Sequence, residues 1–86
     1  MVMTPFTITK NKNGEYTSTL PCGSVLAAAR PMPNVGHDVD DWECFVMTEH
    51  YSAAICSKPV WRVVYSENDV NETLTEFSNL VLNKGE

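Results

Sequence analysis

Val60-Trp61-Arg62-Val63-Val64-Tyr65-Ser66-Glu67-Asn68-Asp69, running on through Val70, Leu74, Phe77, Leu80 and Val81, is the stretch that decides the fold. Its first six residues are β-branched and aromatic, which suits a pleated strand, and Pro59 stops a helix from running into them. Alternation puts Trp61, Val63 and Tyr65 on one face and Val60, Arg62 and Val64 on the other. Apolar bulk on both faces predicts a central strand with Arg62 near a rim. After a polar break the apolar residues recur at spacings of 4, 3, 3 and 1, a single helical stripe. Asp69 with Glu72 reads as an N-cap and an acid near a capping box, and Asn83-Lys84-Gly85 reads as the end. The prediction is a strand over 60–65 followed by an amphipathic helix over 69–83.

Upstream, Phe6 to Leu20 reads as a hairpin around Asn11-Lys12-Asn13-Gly14. A two-residue Asn13-Gly14 turn would put Tyr16 and Leu20 on the opposite face from Phe6 and Ile8. A three-residue loop with Gly14 left-handed pairs Asn11 with Glu15 and gathers Phe6, Ile8, Tyr16 and Leu20 on one face. The second register buries four large groups together and is preferred. Val25 to Arg30 reads as a short helix capped by Ser24 or as a buried strand; six residues are marginal for a helix, so the strand is preferred, and Pro31 ends it either way. Pro31 to Gly36 reads as a loop.

Residues 37–58 admit two readings. Asp40 and Glu43 repeat the cap pattern, and Trp42, Phe45, Val46, His50, Ala53 and Ala54 form a helical stripe, which favours a second helix over 41–56. Strands at about 42–48 and 52–57 also fit the strand formers between Cys44 and Thr48. Either way the class is α+β, a single domain over 1–86 with a small antiparallel sheet packed by helix.

The chain has 86 residues, with eleven acids against six Lys and Arg, a net charge of −5. That balance opposes direct nucleic-acid binding and suits a basic protein partner. It is too modest to argue mimicry of DNA. Three cysteines, Cys22, Cys44 and Cys56, with no C-x-x-C pair, point to buried thiols in a reducing cytosol. Met1 to Pro5 has no basic segment leading into an apolar run, and no apolar run approaches the ~20 residues of a membrane helix. Cytoplasmic residence is the expectation, in the host cytosol if the chain is viral.

Candidate chemistry is sparse. Cys44, His50 and Cys56 are spaced by six, so on one helix consecutive members diverge by about 120° and cannot share an ion. Asp38, Asp40 and Glu49 echo positions 1, 3 and 12 of a calcium loop. Trp42 and Glu43 then fall where a ligand and a glycine are needed. No metal or other cofactor is expected. A cysteine hydrolase needs a base and an orienting group beside the thiol. Cys22, in the Pro21-Cys22-Gly23-Ser24 break, is the best-placed thiol, and Cys22 or Cys44 with His37 or His50 defines an alternative thiol- or metal-dependent enzyme. Trp42 and Trp61 are expected in the core.

The acids carry the leading expectation. Asp38, Asp40, Asp41, Glu43 and Glu49 lie in a stretch from Pro31 to Ser57 that has no Lys or Arg. Glu67, Asp69, Glu72 and Glu76 form a second group. Together they suggest a non-enzymatic module that occludes a basic site on a larger protein, such as a nucleic-acid-handling or defence protein. Small size and acidity associate that role with inhibitors carried by viruses and mobile elements, which is association rather than mechanism. A third expectation is a structural subunit that self-associates through a sheet edge.

Overall fold

Alternation of inward and outward side chains, broken at one bulge, builds the sheet. The computed structural model describes residues 5–32 and 41–83. Strands β1 (Thr7–Lys10), β2 (Tyr16–Thr19), β3 (Val25–Pro31), β4 (Trp42–Val46) and β5 (Trp61–Val64) lie in the order β1-β2-β3-β4-β5, each antiparallel to its neighbour. A 3-10 turn (Thr48–His50) and a one-turn helix α1 (Ala53–Cys56) join β4 to β5, and α2 (Glu67–Leu82) follows. The architecture is α+β: α2 packs across β2, β3, β4 and β5 on one face of the sheet.

The preferred hairpin register is the observed one. Lys10 pairs with Tyr16, Asn11 N–H donates to Glu15 C=O at 2.9 Å, and Gly14 has φ +84°. The Asn11 side-chain carbonyl holds the loop by accepting from Asn13 N–H and Glu15 N–H. Phe6 and Tyr16 are buried, with Ile8 and Leu20 packed against the same core. The strand expected at 25–30 is present as β3. Its register against β2 shifts between Ser18 and Thr19. That bulge lets the successive residues Leu26 and Ala27 both bury.

The second helix over 41–56 does not form. Residues 42–46 are β4, and Trp42, Cys44 and Val46 point to the core while Glu43 and Phe45 alternate away. Of the alternative strands at 42–48 and 52–57, only the first exists, because Ser52 caps α1 by accepting from Ile55 N–H. Ile55 then plugs the core, 1% exposed.

β5 is an edge strand rather than a central one, since β4 occupies its one paired side. Trp61 is therefore 55% exposed and Tyr65 65%, whereas Trp42 is buried. Arg62 does sit at the rim. It faces α2, its guanidinium 5.7 Å from the centre of the Phe77 ring.

α2 starts two residues earlier than expected and its cap lies three residues earlier. Ser66, not Asp69, is the N-cap, and its Oγ accepts from Asp69 N–H at 3.2 Å. Val70, Thr73, Leu74, Phe77, Ser78 and Val81 form its buried stripe. The opposite face of the sheet carries Thr7, Thr9, Thr17, Thr19, Ala28, Arg30, Glu43, Phe45, Trp61 and Val63 by register. No described helix of the chain is long and apolar enough to cross a membrane.

Candidate interaction surface

The nine acids singled out in the sequence do not all fall together among the described residues. Asp38 and Asp40 lie outside the described residues. Asp41 leads into β4, where its carbonyl accepts from Met32 N–H at 2.9 Å. Glu67, in the first turn of α2, lines the same cleft as Asp41, with Lys10, Gly14, Pro31, Met32 and Trp42. Glu49 belongs to the 3-10 turn beyond the other end of β4, where His50 Nε2–H donates to Val25 C=O at 2.8 Å.

Glu43 and Glu67 are each committed within the fold. Glu43, on the sheet face away from α2, takes Arg30 at 3.1 Å across the β3–β4 ladder. Glu67 accepts from the Tyr16 hydroxyl and lies 3.5 Å from Lys10 Nζ. The Tyr16 hydrogen bond, then the Lys10 charge, holds the Glu67 carboxyl below the usual carboxylate range. The converse holds for Tyr16, pushed up to about 12 by burial and then by Glu67. This pair ties the start of α2 to the hairpin.

Three acids of α2 do converge. Asp69, Glu72 and Glu76 recur at i, i+3 and i+7 on α2, with Thr73 between them, and so share one flank. That flank runs along β5. Together with Arg62, Val63, Val64 and Tyr65 the four residues line a cleft of about 410 Å³. Arg62 is the basic residue in it, donating to Glu76 at 2.8 and 3.5 Å. Among the described residues no ion pair involves Asp69 or Glu72. The cleft continues past Glu76 into a second one of about 290 Å³, lined by Lys58, Pro59, Asn79, Leu80 and Asn83.

Sequence reasoning gave Asp69 to the cap and Trp61 to the core. The missed signal was Ser66-x-x-Asp69, a cap three residues ahead of an acid, which releases the Asp69 carboxylate to the surface.

The thiols are dispersed. Cys44 is buried in β4 beneath α2, and burial pushes it up to about 11. Cys22 is exposed, and its hydrogen bonds with Ser24 lower its pKa. Cys56 is exposed at the end of α1. Among the described residues no three His, Cys, Asp or Glu side chains gather closely enough to hold a metal ion. Comparison with known protein families, with curated proteins and with solved structures finds no match.

Proposed function

We propose that this chain is a non-enzymatic protein-binding module, a small acidic domain that covers a basic site on a larger partner and so antagonises it. The observation that carries this reading is the flank of Asp69, Glu72 and Glu76 beside β5, with Arg62 the single opposing charge in its cleft. Carboxylates on successive helical turns give a rigid negative stripe, which attracts a basic surface and fixes its register. A nucleic-acid-handling protein is the partner class such a stripe fits, because its own groove is lined with Lys and Arg for phosphates. The net charge of −5 acts in the same direction at long range.

Affinity capture of the tagged protein from lysate of its own host, at low and high salt, tests the reading. A stoichiometric partner that is lost at high salt, and lost to an Asp69→Asn/Glu72→Lys variant at low salt, is the expected result. Undiminished capture by that variant refutes the acidic flank as the binding surface.

A further inference from the structure

We infer that the outer side of β5 takes up an extended basic segment of the partner as a sixth strand, with the acidic flank of α2 reading its side chains. The inference rests on the acidic-module reading above and adds the mode of binding and the chemistry of the segment.

The backbone supplies the template. Val46 N–H donates to Val60 C=O at 3.0 Å, which makes 46 and 60 a hydrogen-bonded pair. Such pairs alternate along an antiparallel ladder, so Cys44–Arg62 and Trp42–Val64 are the next ones. Phe45–Trp61 and Glu43–Val63 fall between them. The N–H and C=O groups of Trp61 and Val63 therefore point away from β4, toward the side where no described strand pairs. Edge strands are commonly blunted by Lys, Pro or a covering loop. Between Trp61 and Val64 there is no Lys or Pro, and a half-exposed Trp61 sits there instead. The other edge, β1, ends in Lys10, and α2 packs chiefly along β2 to β5.

The cleft states what the occupant is. A strand laid along β5 turns alternate side chains to the two faces of the sheet. Those on the helix side meet Asp69 and Glu72, which select Lys or Arg, beside Glu76 already paired with Arg62. Those on the other side lie beside Trp61 and Val63, which select apolar groups. The segment is therefore one in which basic and apolar residues alternate over about five to seven positions, the reach of a four-residue edge strand and its flanks. A second copy of this chain fits poorly. Pairing β5 with its own image brings two sets of Asp69, Glu72 and Glu76 to one seam, where like charges repel.

The test uses fluorescence anisotropy with two labelled heptapeptides of equal composition, one alternating Lys and Val, the other with Lys and Val in separate blocks. The alternating peptide is expected to bind saturably and about tenfold more tightly than the block peptide, the equivalent of one charge-assisted hydrogen bond. Methylating its backbone nitrogens on the pairing side is expected to abolish binding. Val63→Pro does the same from the protein side, since the N–H it removes faces away from β4. The methylated peptide gives the answer even if that variant fails to fold. Equal binding of both peptides, indifferent to methylation but lost in Asp69→Asn/Glu72→Lys, overturns strand addition and leaves the acidic surface standing. No saturable binding of the alternating peptide below about 1 mM, or binding indifferent to Asp69→Asn/Glu72→Lys, overturns both. A dimer in light scattering that Val63→Pro dissociates gives the edge to a second copy and also overturns the proposal.

Discussion

Ser18 of β2 and Ser78 of α2 meet oxygen to oxygen inside the core, both fully buried. Ser78 Oγ also donates to Leu74 C=O at 2.7 Å. Its single proton being so used, Ser78 accepts from Ser18. The two residues are therefore unequal. Ser78→Ala strands the buried Ser18 hydroxyl and is expected to cost about 1–3 kcal/mol, whereas Ser18→Ala leaves Ser78 bonded to Leu74 and costs less. Urea unfolding of both single variants and the double variant checks this. The double variant should be less destabilised than the sum of the singles.

The Tyr16–Glu67 pair links the helix start to pH. Tyr16 has its pKa raised in the fold from 10.0 to about 12, so the stabilisation it carries is complete below pH 10 and is lost as pH rises toward 12. Glu67 has its pKa lowered, so its share is present above the ordinary carboxylate range and is lost as pH falls through the folded value. Unfolding midpoints of the wild-type chain are expected to drop between pH 10 and 12 more steeply than those of Tyr16→Phe. Parallel curves for the two proteins in that window would contradict the pairing.

The thiols should separate by reactivity. The thiolate is the nucleophile, and Cys22 is exposed with a lowered pKa, while Cys44 is buried with a raised one. Iodoacetamide at pH 7.5 is expected to label Cys22 promptly in the native protein and to reach Cys44 only after denaturation. Peptide mass spectrometry reads the order.

Much of this architecture was legible in the chain, and the failures have a common cause. The hairpin register followed from which turn would bury Phe6, Ile8, Tyr16 and Leu20 together, a choice that the fold makes for the same reason. The C-terminal stripe was legible because Val70, Leu74, Phe77 and Val81 repeat with the helical period, whereas Ser78, whose polarity suggests the wet side, is buried with them and Leu80 only partly so. Residues 42–46 failed because Trp42, Phe45 and Val46 fit a helical stripe while Trp42, Cys44 and Val46 fit an alternating one. Only the neighbours β3 and β5, far off in sequence, decide between them. Losing β4 as a strand then left β5 without its true position, so Trp61 was assigned to the core. The acidic flank was half legible. Asp69, Glu72 and Glu76 were grouped in the sequence, but with Glu67, which the fold ties to Tyr16 and Lys10, and with Asp69 read as the cap that Ser66 provides.

The two tryptophans test that corrected placement. Trp61→Ala, at a half-exposed edge position, is expected to change stability by less than about 1 kcal/mol. Phe77→Ala, fully buried under Arg62, is expected to cost about 3–5 kcal/mol. In fluorescence, Trp61→Phe should remove the red-shifted, acrylamide-quenchable emission and leave the shielded emission of Trp42.

The most direct measurement of the central claim is a two-dimensional amide NMR titration of the labelled protein with the alternating Lys/Val heptapeptide. Shifts are expected to be confined to Trp61, Val63 and Tyr65 of the β5 edge and to Asp69 through Glu76 on α2, weakening as salt is raised. Shifts centred on the Thr7–Thr19 side of the sheet or on the Glu49 turn, with β5 unmoved, would contradict it.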